Sequence, residues 1–150
     1  MIKIAIIVSL IFLDLLTKYL IQNNLFLNQS IKINEFLDLV YVQNFGVSFG
    51  LFSGYVSHWM LILIALLVVI LIIYLFIKSD KQLEKQAYFF VIIGALSNII
   101  DRLINSYVVD FILIHYENLY WPAFNLADIY ITIGIIMLLM SFFIKSKTVK

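Results

Sequence analysis

Four long apolar runs constrain this chain before any single residue is considered: roughly Ile2 to Ile21, His58 to Ile77, Ala87 to Leu103 and Ala127 to Ile144. A helix rises about 1.5 Å per residue and the hydrocarbon core of a bilayer is about 30 Å thick, so each run is long enough to cross it. Of the 150 residues 64% are hydrophobic and 13% charged, far from the balance of a soluble domain. The expected fold is a mainly α membrane protein, a four-helix transmembrane bundle. The first run follows Met1-Ile-Lys3 as a signal peptide would, but it continues through Leu20 without a small-x-small cleavage site and is read as the first span.

Lysine sets the expected orientation, because cytoplasmic loops hold the excess of Lys and Arg. Lys3, Lys78, Lys81, Lys85, Lys145, Lys147 and Lys150 fall at the N-terminus, the middle loop and the C-terminal tail, whereas the two other loops contain only Lys32. Both termini are therefore expected in the cytoplasm, with loops from about Gln22 to Ser57 and from Ile104 to Asn125 outside. In the first of these, Leu37-Asp-Leu-Val-Tyr-Val-Gln43 is rich in β-formers, and Phe45, Phe49, Leu51 and Phe52 add apolar bulk. The expectation is a small extracytoplasmic sheet resting on the membrane surface. Trp59, Tyr116, Tyr120 and Trp121 lie near the outer boundaries, where amphipathic rings favour the headgroup layer. No internal repeat is visible, and residues 1–150 read as one domain. A net charge of +1 gives no case for nucleic acid, and the absence of cysteine excludes disulfides, thiolate zinc sites and a cysteine nucleophile.

Against this background the polar residues stand out. A charge at the bilayer centre costs about 2.5 to 3.5 kcal/mol on insertion scales, so a chain that keeps several should gain something from them. Asp14 and Lys18 lie in the central to outer part of helix one, Asn44 and Gly46 in the first outer loop, and Asn98, Asp101 and Arg102 near the outer end of helix three. Asp110 and His115 fall in the second outer loop, and Asn125 and Asp128 begin helix four. Random tolerance would scatter such residues across both leaflets. Their common depth points to one shared site at the extracytoplasmic interface.

Each group has a plainer reading beside the functional one. Asp14 and Lys18, acid four residues before base on one helix face, suit a charge-neutralising pair as well as a site-shaping one. Lys18 is also a candidate base for a serine and lysine protease, although nothing in the sequence positions Ser48 or Ser57 as its nucleophile. Gly94, Asn98, Asp101, Arg102 and Asn105 recur at helical spacing as a polar stripe, either an interhelical seam or a surface that also holds a substrate backbone. Gly94 permits close helix approach. Asn125 fits the N-cap of helix four with Asp128 in its first turn, and Asp110 taken alone is an ordinary loop acid. His115 reads as an interfacial loop residue.

Two acids beside Arg102 and several asparagines at one depth favour chemistry. If the carboxylates lie close together they cannot both ionise cheaply and share a proton. The ionised one then takes a proton from water while the neutral one donates to a scissile carbonyl oxygen. No metal or cofactor is required. His58 and His115 are the only histidines, no His-Glu-x-x-His occurs, and no Gly-rich phosphate loop is visible.

At these residues the sequence resembles the lipoprotein signal peptidase, or signal peptidase II, family. The resemblance runs nearly end to end through Asp14-Leu-Leu-Thr-Lys18, Asn44-Phe-Gly-Val-Ser-Phe49, Gly94-Ala-Leu-Ser-Asn-Ile-Ile-Asp-Arg102, Val108-Val-Asp-Phe111 and Phe124-Asn-Leu-Ala-Asp128. It implies an aspartyl endopeptidase of the bacterial cytoplasmic membrane that removes signal peptides on the N-terminal side of a diacylglyceryl-modified cysteine. It assigns the dyad to Asp110 and Asp128, and places Asp14, Lys18, Asn44, Gly46, Gly94, Asn98, Asp101, Arg102 and Asn125 around the pocket. The implied partners are prolipoprotein substrates, membrane lipids and the inhibitor globomycin.

One departure is Ser97, where the family commonly has a second glycine. Serine is also small, so the expectation is tighter local hydrogen bonding or little change. The runner-up reading, a small proton- or cation-coupled transporter or channel subunit, requires acids along a path across the membrane, and the inner half is nearly bare of them. The Tyr-Asp and Gly-x-Gly-Asp elements of presenilin-type proteases are absent.

Overall fold

The computed structural model describes residues 2–46 and 56–147. The expected apolar bulk at Phe49, Leu51 and Phe52, and Ser48, lie outside the described residues. Four long helices, α1 (Ile2–Asn24), α2 (His58–Lys78), α3 (Gln82–Asn105) and α4 (Leu126–Lys147), are joined by four strands, β1 (Ser30–Lys32), β2 (Leu37–Asn44), β3 (Val108–Tyr116) and β4 (Leu119–Tyr120). Segments of all four helices are long and apolar enough to cross a membrane: Ile4–Asn24, His58–Lys78, Gln82–Asn105 and Leu126–Ile144. A helix satisfies its own backbone hydrogen bonds, which a lipid-exposed segment must do. Their outward faces carry exposed Ile, Leu, Val and Phe, including Phe12, Leu67, Ile70 and Phe142. These features mark a multi-pass membrane protein.

The helices are arranged around α3, which packs most extensively on α4 and also on α2 and α1. Its faces differ in chemistry. Ala95, Leu96 and Ile99 pack with Ile62, Ala65 and Val69 of α2 into an apolar cluster, while Ser97, Asn98 and Asp101 turn toward polar partners on α1, α4 and β3. Glycine brings α3 and α4 into close approach at two levels. A Cβ on Gly94 would run into the carbonyl oxygen of Ala127, and one on Gly134 would come within 2.6 Å of the carbonyl oxygen of Ala87. Near their other end, Glu84 accepts from Ser141 of α4 at 3.1 Å, from Ser79 at 2.7 Å and from Lys81 at 2.7 Å, pinning the α2–α3 turn to α4.

The strands form one antiparallel sheet in the order β1-β2-β3-β4. The segment between α3 and α4, which the sequence reading takes as a loop, supplies two of them, so Asp110 and His115 stand on a strand. Val108-Val-Asp-Phe-Ile-Leu-Ile-His-Tyr116 is rich in β-branched and aromatic residues, but its first four positions are all buried, so the alternation that marks a half-exposed strand is missing. The β2–β3 register shifts between Leu39 and Val42, where β2 carries one extra residue opposite the segment from Asp110 to Ile112. α3 enters β3 abruptly, through Ser106 in the left-handed region (φ 67°), whose N–H returns to the Arg102 carbonyl. Leu25, Tyr41 and Val109, with Ile21 and Tyr107 against them, form the apolar contact between α1 and the sheet.

Gly94→Ala places a methyl against backbone rather than a yielding side chain. It is expected to lower stability by about 1–3 kcal/mol and to push away the start of α4, read as a lower thermal midpoint in detergent. A midpoint equal to that of the parent would show that α4 shifts without cost.

Candidate active site

Polar residues of α1, α3, α4 and the sheet are joined in one hydrogen-bonded chain. It begins at Asp14, fully buried, with Lys18 beside it only 1% exposed. The Asp14 carboxylate takes three donors from three elements: the Lys18 ammonium on α1 at 2.8 Å and the Ser97 hydroxyl on α3 at 2.5 Å both reach Oδ2, and the Ala127 N–H of α4 reaches Oδ1 at 2.9 Å. Lys18 lies 3.4 Å from Asp101 Oδ2 and donates to Asn98 Oδ1 at 2.8 Å. One ammonium thus lies within ion-pair distance of two buried carboxylates, which need such a partner when charges leave water.

From Asn98 the chain reaches α4. The Asn98 amide donates to Asp128 Oδ1 at 3.0 Å. Asp128 stands in the first turn of α4, and Asn125 precedes the helix. The Asp128 N–H donates to Asn125 Oδ1 at 3.0 Å, and the Asn125 N–H returns to Asp128 Oδ2 at 3.2 Å, the reciprocal geometry of a capping box. The same Asn125 donates its amide to Asp110 Oδ1 at 2.7 Å. Asn125 therefore bridges the two acids while starting the helix that carries one of them.

Asp110 arrives from the opposite side on β3. Asp101 accepts the Val109 N–H at 2.8 Å and the Asn105 amide at 2.7 Å, clamping the strand one residue before Asp110 to the last turn of α3. The second oxygen of Asp110 accepts the Asn44 amide at 2.9 Å. Asn44 in turn accepts the Gly46 N–H at 2.9 Å, and the Gly46 carbonyl takes a hydrogen bond from Arg102 Nη2. Arg102 is buried, and its Nε has no partner among the described residues. Burial and the nearby Asp128 charge push the Asp110 carboxyl up to about 7, against the opposing hydrogen bonds from Asn44 and Asn125.

The residues that the resemblance places around the pocket thus meet in this network, apart from Gly94, which packs beneath it against Ala127. His115 is elsewhere: its Nε2 lies 3.2 Å from Asp38 Oδ1 and its ring stacks on Tyr120, five residues along β3 from Asp110, or about 17 Å at strand rise. Asp38 also accepts from Ser30, and that bond foremost holds its carboxyl below the ordinary value. Ser57 caps α2 by accepting the Met60 N–H at 3.3 Å. Among the described residues no three His, Cys, Asp or Glu side chains form a group suited to a metal ion. Sequence reasoning missed Gly134, whose signal was a lone small residue in an apolar helix, and the Ala127 backbone, which carries no side-chain signal.

Lys18→Met removes the cation shared by Asp14 and Asp101 and leaves the buried Asp14 carboxylate without its counter-charge. The expected loss is about 3–5 kcal/mol, visible as a marked drop in the thermal midpoint. An unchanged midpoint would contradict the neutralising role.

Comparison with known proteins gives one consistent answer. The family model described as signal peptidase (SPase) II matches residues 6–144. A lipoprotein signal peptidase of Thermodesulfovibrio yellowstonii is 44% identical over 128 residues, 85% of each chain. One from Rickettsia prowazekii is 38% identical over 149 residues, covering 97% of this chain and 77% of the other. Among solved structures, a bacterial membrane enzyme determined by the in meso method at 2.3 Å resolution superposes with a TM-score of 0.88 at 29% identity, covering 99% of this chain and 91% of that one. A second, at 1.9 Å resolution, gives a TM-score of 0.80 at 30% identity, with 93% and 91% covered.

Proposed function

The chain belongs to the signal peptidase II family, and from that premise we propose that it is an aspartyl endopeptidase cleaving signal peptides from diacylglyceryl-modified prolipoproteins, on the N-terminal side of the lipidated cysteine. Residues 1–150 act as a single membrane peptidase domain in the bacterial cytoplasmic membrane, with both termini in the cytoplasm and the site at the outer face. The observation that carries the proposal is Asn125, which hydrogen-bonds both Asp110 and Asp128 and so holds two carboxyl groups in electrostatic reach of each other.

In this reading the pair holds one proton at neutral pH. Asp110, neutral up to about pH 7, is the acid. Asp128 accepts a proton from a water molecule, whose oxygen attacks the scissile carbonyl carbon while Asp110 protonates the carbonyl oxygen. Collapse of the tetrahedral adduct expels the amine, which takes up the proton that Asp128 received, while a hydroxyl proton of the adduct returns to Asp110 and restores the starting pair. Asn44 and Asn125 hold Asp110, and Asn98 and Asn125 hold Asp128, so both act from fixed positions. Arg102, with a buried donor still unpaired among the described residues, is suited to a substrate carbonyl. The acyl chains of the substrate, retained in the bilayer, supply binding energy away from the reacting bond. Globomycin competes for the same site.

Cleavage of a diacylglyceryl-modified prolipoprotein by purified protein tests this. Asp110→Asn and Asp128→Asn should each lower kcat by about 10²-fold or more while the protein stays folded, and globomycin should block the parent. Turnover persisting in either folded variant would refute the dyad. The pH profile offers a second check. Asp110 is neutral below its raised value and ionised above it, so kcat/KM should fall as pH rises through about 7, where the acid is lost. A profile flat from pH 6 to pH 9 would assign proton donation elsewhere.

A further inference from the structure

Ser97 is the residue at which the chain departs from the pattern it resembles, and its surroundings are unlike those of a filler. It is fully buried, and its hydroxyl donates to Asp14 Oδ2 at 2.5 Å, the oxygen that also takes the Lys18 ammonium. From Asp14 two paths converge on Asp128. One runs through the backbone: Asp14 Oδ1 accepts the N–H of Ala127, the residue immediately before Asp128, in the first turn of α4. The other runs through side chains: Lys18 donates to Asn98, and the Asn98 amide donates to Asp128 Oδ1. Asp14 therefore holds Asp128 by its backbone and, through Lys18 and Asn98, by its carboxylate.

We propose that Ser97 is a positioning residue for Asp128, fixing the Asp14 carboxylate so that both paths keep the acid in its reactive orientation. This rests on the reading of Asp128 as a catalytic group. The chemistry of the contact supports it. A carboxylate oxygen has room for two strong donors, and here they are the Lys18 ammonium and the Ser97 hydroxyl. Without the hydroxyl, Asp14 keeps Lys18 and the Ala127 N–H but loses its direct bond to α3, the helix that carries Asn98. Rotation of Asp14 toward Lys18 would then draw the ammonium off Asn98 and release the Asn98 amide from Asp128. Ser97 touches neither Asp110 nor Asp128 directly and acts through the orientation of Asp128, so its effect belongs in turnover.

Ser97→Ala deletes one oxygen and adds nothing, so the packing of α3 is kept. The control is Ser141→Ala, which removes another buried serine hydroxyl, at the Glu84 clasp far along α4 from Asp128. With the diacylglyceryl-modified prolipoprotein, Ser97→Ala is expected to lower kcat about tenfold to 150-fold, the worth of a hydrogen bond to a charged group, with KM within about twofold of the parent. Ser97→Thr, which retains the hydroxyl, should keep more turnover than Ser97→Ala, and Ser141→Ala should keep the parental kcat. Parental kcat in Ser97→Ala, or an equal loss in Ser141→Ala, would overturn the positioning role and leave Ser97 a packing residue. Asp128→Asn run alongside separates this from the underlying reading: activity in that variant refutes the dyad itself, whereas an inactive Asp128→Asn beside a fully active Ser97→Ala refutes only the inference about Ser97.

Discussion

A carboxylate buried at Asp14 governs the assembly. Lipid tails are as apolar as leucine, so apolar surface alone gives the helices little reason to associate, and close packing and polar contacts must supply it. Asp14 is reached by donors from α1, α3 and the backbone of α4, and none of those helices can move away without stranding a charge or an orphaned helix-terminal N–H. The glycines at the α3–α4 crossing let the helices approach until such short polar side chains can meet. Helix α2, whose contact with α3 is apolar, stands outside this network.

The same constraint prepares the proposed chemistry. Asp128 sits at the start of a helix whose first N–H groups are capped by Asn125 and Asp14, and Asp110 sits on a strand locked to α3 by Asp101. Neither acid depends on an unsupported loop for its position. The β2 irregularity beside Asp110 and the abrupt left-handed exit from α3 at Ser106 deliver the strand to the helix ends. Asn125 serves both as helix cap and as partner of both acids, so one residue fixes the start of α4 and the link between Asp110 and Asp128.

Much of this was legible in the residues. Asp14 and Lys18 read as a pair on one helix face and are one; Asn125 and Asp128 read as a helix start and form its capping box. The polar stripe from Gly94 to Asn105 is the seam it reads as, since Asn98 and Asp101 join α3 to α1, α4 and β3 and Arg102 reaches the Gly46 carbonyl beside the two acids. The strand under Asp110 escaped notice because burial at both faces removed the alternation that would have marked it. Ser97 was noticed only as a departure from glycine, since its partner lies 83 positions away in the chain.

Local chemistry, then, marked which segments are long and apolar enough to cross a membrane, where helix four begins and that the polar residues gather toward one end of the helices. Each of these follows from run length, hydropathy or spacing within a few turns of helix. What awaited the folded chain was the order of contacts: that Lys18 serves two acids, that Asp14 caps a helix 113 residues later, and that Asn125 stands between Asp110 and Asp128. Those pairings join residues on different elements, and they depend on how closely α3 and α4 approach and on where β3 leaves α3. Both are set by packing in three dimensions, on which the spacing of residues along the chain is silent.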